Sequence, residues 1–83
     1  MFFVYIIQSK IDESFYIGFT QNLEKRISEH NSGNTNYTTR KRPWNLVYFE
    51  EFKDKSDALK RELFLKRQRN KSFYQKLIAS LDR

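Results

Sequence analysis

The sequence predicts an α+β domain in which a small antiparallel sheet of three strands is flanked by helices, in the order β-β-α-β-α-α. Short runs of β-branched and aromatic residues precede and interrupt longer segments with helical periodicity. The chain has 83 residues, of which 39% are hydrophobic, so residues 1–83 are expected to form a single domain around one core. With two glycines and one proline, the chain has few residues that would interrupt regular elements.

The first two strands are expected to form an antiparallel hairpin. Residues 1–9 are mainly apolar, and Phe15 to Thr20 repeat this composition after a short polar turn. Glycine weakens a strand, so Gly18 is expected there only if another group must approach the backbone closely at that point. Leu46 to Phe52 are predicted to form the third strand.

The first helix follows the hairpin. Asn22 is a suitable N-cap, and Gly33 is a stop signal just after the last periodic residue. Arg26 and His30 are four residues apart, so both project from the same side of this helix. The chain contains one histidine, so a metal site with several histidine ligands is excluded. His30 is either an acid/base candidate or a helix-end residue that meets the C-terminal dipole.

Two further helices follow the third strand. The first is capped by Asp54 or Ser56 and extends to about Arg69, and the second covers residues 71–81. The inward face of the last helix is predicted to contain Phe73, Leu77 and Leu81, with Tyr74 and Ile78 alongside.

Charge and composition restrict the possible partners. The chain has 16 Lys and Arg against 10 Asp and Glu, and this net charge of +6 favours an anionic partner such as nucleic acid. The alternative is that the basic runs are ordinary solvated helix faces. The absence of cysteine excludes a disulfide framework and a cysteine nucleophile, and is compatible with a reducing cytoplasm. No apolar run is long enough to span a bilayer, so we expect a cytoplasmic protein with no membrane association.

The connection formed by residues 32–45 has no strand or helix periodicity. Loops of this length in small domains are usually functional or disordered, and its threonine, asparagine and arginine content suits phosphate contacts. The residues expected to bind nucleic acid are Gly18, Thr38, Arg40, Lys41, Arg42 and Lys66.

Glu62 is the most informative position for chemistry. It falls within the helical arc of Ala58, Leu59 and Leu65, which should face the core. A carboxylate in that position needs a cation, a metal ion or hydrogen-bond donors. The residues alone favour a structural ion pair with Arg26 or Lys66 over an active site.

Two tyrosines lie in the predicted hairpin. Tyr5 and Tyr16 are near enough in sequence to approach each other across the two strands, although the sequence does not fix the register. Taken singly, each is more typical of sheet packing than of catalysis.

Taken together, these residues resemble the GIY-YIG nuclease superfamily, and in particular its small single-domain members, which are similar to the N-terminal nuclease domain of a DNA-repair excinuclease. The first motif reads Phe3-Val4-Tyr5 instead of Gly-Ile-Tyr, whereas Tyr16-Ile17-Gly18 is intact. The resemblance runs over nearly the whole chain. The other positions that carry it are Arg26, His30, Arg40 to Trp44, Leu46 to Tyr48, and Ala58 to Glu62.

This resemblance implies metal-dependent hydrolysis of phosphodiester bonds, with DNA favoured over RNA. It implies that Glu62 binds one Mg²⁺ or Mn²⁺ ion and that Arg26 contacts the phosphate. It further implies that Tyr16 is the general base, that Tyr5 supplies a supporting hydroxyl, and that His30 occupies a less uniform catalytic position. A partner protein could supply specificity.

Two alternatives remain. The chain could be a catalytically weak nucleic-acid-binding module of the same fold, in which case salt-sensitive binding without cleavage is expected. A protein-interaction domain anchored by Trp44 has little specific support, because a tryptophan after Pro43 is more typical of packing at the start of a strand.

Overall fold

A three-stranded antiparallel sheet organises the molecule. The computed structural model describes residues 1–33, 35 and 37–82 and confirms the α+β class and the order β-β-α-β-α-α. The strands are β1 (Phe2–Ser9), β2 (Phe15–Thr20) and β3 (Trp44–Phe52), and they lie in the order β2-β1-β3. As the central strand, β1 is covered on both faces, which explains its long apolar run.

The third strand begins two residues earlier than the sequence indicates. Trp44 and Asn45 pair with Ser9 and Gln8 of β1, beyond an irregularity in the ladder next to Ile7. This extension places Trp44 in the core at the start of the strand, as the sequence predicts for a packing residue.

Among the described residues, three α-helices flank the sheet: α1 (Leu23–Ser32), α2 (Lys55–Gln68) and α3 (Lys71–Ala79). The predicted caps of α1 are confirmed, because the Asn22 side chain accepts a hydrogen bond from the Lys25 amide at 3.1 Å and Gly33 adopts a left-handed φ of 87°. Asp54 is the N-cap residue of α2, which decides between the two caps the sequence offers. None of the described helices is long and apolar enough to cross a membrane.

The two faces of the sheet carry separate apolar clusters. Helices α2 and α3 cover one face, where Val4, Ile6 and Ile17 pack in a cluster with Ala58, Leu65 and Tyr74. The other face is covered by α1, where Tyr5, Ile7 and Trp44 pack with Tyr16, Leu23 and Ile27. Because side chains alternate between the faces of a strand, neighbouring residues of β1 belong to different clusters.

Two helix faces differ from the predicted ones. Leu59 is exposed, so the buried face of α2 is centred on Ala58 and Leu65. Leu81 is also exposed, since α3 ends at Ala79 and a 3₁₀ turn carries Leu81 away from the helical stripe. Tyr74 takes the central position of α3 instead, and its hydroxyl donates a 2.6 Å hydrogen bond to the Leu65 carbonyl of α2.

Candidate active site

The register of the hairpin brings both tyrosines to the same face of the sheet. Tyr5 is opposite Gly18, and Tyr16 is opposite Ile7. Paired residues in an antiparallel ladder share a face, so both phenols lie on the side covered by α1. The Tyr5 ring lies directly over Gly18, where a methyl group would overlap the phenol oxygen. Gly18 is therefore required by Tyr5, whose phenol is the group that approaches the backbone closely at this position.

Tyr5 and His30 form a buried hydrogen-bonded pair. The Tyr5 hydroxyl is 2.8 Å from His30 Nε2, and the two residues are 1% and 0% exposed. The other ring nitrogen of His30, Nδ1, lies 2.9 Å from the Thr38 hydroxyl and 3.2 Å from the Thr35 hydroxyl. His30 thus lies in the last turn of α1, as the helix-end interpretation has it, but it is an internal residue with both ring nitrogens engaged.

The electrostatics of this pair keep it neutral. Burial lowers the pKa of His30, and the nearby Arg26 guanidinium lowers it further, against a smaller opposing effect of Glu29. Burial also raises the pKa of Tyr5 to about 12, although Arg26 opposes that shift. At neutral pH the Tyr5 phenol therefore retains its proton and the His30 imidazole is uncharged.

Arg26 is the cation of the site. Its side chain is half-buried on α1, where its guanidinium forms a 3.2 Å ion pair with Glu29 and acts on the Tyr5 hydroxyl. Burial alone would lower the pKa of Arg26, but its contacts with Tyr5 and Glu29 outweigh that effect and raise it. The guanidinium is therefore held in its charged form.

Tyr16 connects the buried pair to the surface. Its ring packs edge-on against the His30 ring with centroids 5.1 Å apart, and lies 5.6 Å from the ring of Tyr37. Tyr16 also lines an open groove of about 360 Å³, together with Tyr37, Lys66 and Arg69. Of the two hairpin tyrosines, Tyr16 is the one that a molecule in solution can reach.

Glu62 lies on the buried side of α2. Its side chain is 17% exposed, and its carboxylate pairs with the Lys66 ammonium at 3.1 Å. The negative charge of Glu62 makes the smallest of the contributions that raise the pKa of Tyr5. Of the two ion pairs that the sequence allows, the structure forms the one with Lys66.

The residues described in the structure contain no group of three or more histidine, aspartate and glutamate side chains that could enclose a metal ion. Mg²⁺ does not need such a cage, since it binds through one or two carboxylates and completes its octahedron with water and phosphate oxygens. A single carboxylate, partly open to solvent, fits an ion of that kind.

The family is decided by comparison with known proteins. Residues 1–77 match the model of the GIY-YIG catalytic domain. The protein belongs to the GIY-YIG family. This membership suggests a nuclease-type function.

The relatives of this GIY-YIG domain include small UPF0213 proteins. One from Clostridium perfringens is 50% identical over 68 residues, which are 81% of this chain and 72% of the relative. Another from Staphylococcus haemolyticus is 48% identical over 65 residues, or 77% of this chain and 78% of the relative. The solution structure of a UPF0213 protein from Bacillus halodurans superposes with a TM-score of 0.59 at 32% identity, covering 95% of this chain and 84% of the other.

Thr38 has a different place in this GIY-YIG domain from the one the sequence suggests. It is fully buried, its hydroxyl is bonded to His30, and its carbonyl accepts a 2.9 Å hydrogen bond from the Trp44 indole. A side chain enclosed in this way is not available to bind nucleic acid. Thr38 instead supports His30, and Thr35 shares that role, which no pattern in the sequence indicates.

The basic residues of the GIY-YIG domain differ in availability. Arg40 and Arg42 are exposed, whereas the Lys41 ammonium is paired with Asp12 at 3.2 Å. Arg61 of α2 is bonded through two nitrogens to the Glu50 carboxylate at 2.9 Å each, so it does not contribute a free charge to that helix.

Tyr37 and Arg69 line the groove but were not among the predicted site residues. A loop tyrosine and a helix-end arginine have no periodic signal, so the sequence gives little reason to single them out.

Proposed function

We propose that this protein is a metal-dependent endonuclease that hydrolyses phosphodiester bonds in DNA. The observation that carries the proposal is the environment of one buried hydroxyl. The Tyr5 phenol is bonded to His30, the Tyr16 ring packs against the same imidazole, and Arg26 acts on the Tyr5 hydroxyl, so four of the five candidate residues meet at one point. Family membership supports a nuclease-type reaction at this location.

The five residues divide into buried and reachable groups. Tyr5 and His30 are enclosed, so they act as positioning residues that hold the cluster together. Arg26, Tyr16 and Glu62 are partly exposed and are the groups that substrate would meet.

Arg26 is suited to bind phosphate. Its guanidinium is charged and half-buried, and hydrogen bonds from a charged donor to phosphate oxygens are strong in such surroundings. Charge builds up on the oxygens of the attacked phosphorus in the transition state, and a fixed guanidinium stabilises it there.

Tyr16 is proposed as the general base that takes a proton from the attacking water. It borders the open groove, whereas the raised pKa of Tyr5, about 12, keeps the second phenol protonated. A tyrosine base needs neighbouring positive charge, because an unperturbed phenol has a pKa near 10. Arg69 lines the same groove and supplies such a charge, whereas the Lys66 ammonium is paired with Glu62.

Glu62 is the residue that would hold one Mg²⁺ or Mn²⁺ ion, with water and phosphate oxygens as the other ligands. When bound, the ion would supply Lewis-acid stabilisation of the phosphate and of the leaving oxygen. In the structure Lys66 holds the Glu62 carboxylate in place and balances its charge.

The test is cleavage of end-labelled single-stranded, branched and duplex DNA, and of RNA, with Mg²⁺ or Mn²⁺. Glu62→Gln, Arg26→Ala and Tyr16→Phe should each lower the cleavage rate by about 100-fold or more, as expected when one group that stabilises a transition state is lost. Glu51→Gln removes an exposed carboxylate from β3 and is the matched control, with the wild-type rate expected. Cleavage that survives all three substitutions would refute the assignment.

A second candidate function is nucleic-acid binding with little turnover. It is favoured by the Glu62–Lys66 ion pair, because a carboxylate with a resident partner has less need of a metal ion. In that case the wild-type protein should bind DNA in a salt-dependent way and leave it intact with either metal.

A further inference from the structure

The groove beside Tyr16 combines aromatic faces with positive charge. Tyr16 and Tyr37 lie on its wall together with the basic side chains of Lys66 and Arg69. Its volume of about 360 Å³ lies within the ~300–1,000 Å³ typical of pockets for small organic groups. A ligand that fits this lining has a flat apolar part and an anionic part.

Tyr37 is held in an unusual position for a large aromatic side chain. It is 75% exposed, yet its ring lies 5.6 Å from that of Tyr16 with an angle of 39° between the two planes. Tyr16 in turn packs against His30 and Trp44, both of which are buried. One face of an anchored aromatic cluster is thus presented to solvent at the groove.

The backbone on the basic side of the groove is also anchored. Arg69 ends α2 in a left-handed conformation with a φ of 45°, and its amide donates a 3.2 Å hydrogen bond to the Tyr74 hydroxyl. The same hydroxyl donates to the Leu65 carbonyl, which fixes the corner between α2 and α3. Lys66, one turn earlier, contacts Glu62 and so connects the groove to the candidate active site.

We infer that this groove binds one unpaired nucleotide of a DNA strand, with its base stacked on Tyr37 and its phosphate near Lys66 and Arg69. The inference rests on the proposed function and specifies the form of the substrate. Stacking on aromatic side chains and backbone contacts from cations are the usual means of binding single strands. In a duplex both faces of a base are covered by its neighbours, so a stacking platform favours DNA with an unpaired segment.

Binding is measured in the presence of EDTA, so that the result does not depend on cleavage. The probes are a fluorescein-labelled 12-nucleotide single strand, the same strand as a duplex, and a strand of the same length made of abasic sites. Tyr37→Ala should weaken binding of the single strand about 5- to 150-fold, the range for loss of one stacked base. Binding of the duplex and the abasic strand should not change, and Phe49→Ala, which removes an exposed ring from β3, is the matched control.

Two further measurements identify the base and the phosphate. A 2-aminopurine within the strand should lose fluorescence on binding to the wild type and to Tyr37→Phe, but not to Tyr37→Ala. Arg69→Gln should reduce the slope of log K against log salt by about 0.7, the effect of one lost contact with a single-strand phosphate. Lys60→Gln, on the same helix but outside the groove, should leave the slope unchanged.

The inference is overturned if Tyr37→Ala binds the single strand as the wild type does, or weakens all three probes equally. Tighter binding of an RNA strand of the same sequence would overturn the choice of DNA. Stacking and cleavage are independent readouts. If the protein quenches 2-aminopurine but cleaves no DNA with Mg²⁺, the proposed nuclease activity is refuted and the nucleotide subsite is supported. If the protein cleaves DNA and Tyr37→Ala has no effect on binding, the subsite is refuted and the nuclease activity is supported.

Discussion

The buried imidazole of His30 should make the stability of the protein depend on pH. His30 is the only histidine in the chain, and burial lowers its pKa in the folded state. In the unfolded chain its pKa returns to about 6.5. Below that value the unfolded state binds a proton that the folded state does not, so acidification favours unfolding. The free energy of unfolding should therefore be highest above pH 7 and should fall as the pH is lowered from 7 to 5.5.

The size of the effect has an upper limit set by one proton. The slope cannot exceed about 1.4 kcal/mol per pH unit, and the total loss between pH 7 and pH 5.5 is at most about 1.3 kcal/mol. Carboxylates contribute little in this window, since their unfolded pKa values lie near 4. Asp12 is one example, because hydrogen bonds from Ser14 and the nearby Lys41 lower its pKa, so its contribution to stability is lost only in stronger acid.

The assay is urea unfolding at a series of pH values between 5.5 and 7, for the wild type and for His30→Gln. Both proteins carry the same carboxylates, so the difference between their curves isolates the imidazole. The variant should be less stable at pH 7 and should show no slope in this window. An equal slope in the two proteins, or a wild type that gains stability on acidification, would refute the argument.

Two further predictions, one on a packing contact and one on an ion pair, can be checked by urea unfolding. Gly18→Ala should destabilise the fold by about 1–3 kcal/mol, because the new methyl group overlaps the Tyr5 hydroxyl, and an unchanged midpoint would contradict the close approach. Glu50→Gln should cost about 1–3 kcal/mol, since it weakens the contact of Glu50 with Arg61 and with the Tyr48 hydroxyl, and Glu51→Gln, on the neighbouring residue, should be neutral.

Local signals account for the parts of the fold that the sequence predicts well. Asn22 and Gly33 bound α1 because capping and left-handed conformations depend on residue type at one position. The hairpin strands follow from apolar runs separated by a polar turn. The start of β3 at Trp44 depends on pairing with the far end of β1, and no local pattern encodes that contact.

Glu62 shows how a prediction can hold although part of its basis is wrong. Helical periodicity places Glu62 inward with Ala58, Leu59 and Leu65, but Leu59 is exposed. Ala58 and Leu65 are four and three residues from Glu62, and this spacing alone sets it on the buried face. The identity of its ion-pair partner, Lys66, depends on the side-chain arrangement and could be stated only as one of two options.

His30 and Thr38 show what the sequence could not provide. Helical spacing correctly puts His30 on the same side of α1 as Arg26, but its burial depends on the loop that folds over it. The hydroxyls of Thr35 and Thr38 approach Nδ1 from residues with no periodic pattern, so phosphate binding was a reasonable interpretation of that loop. Once the loop is in place, His30 has no exposed surface, so any influence it has on a substrate must pass through its neighbours, which are the Tyr5 hydroxyl that it bonds and the Tyr16 ring that it packs against.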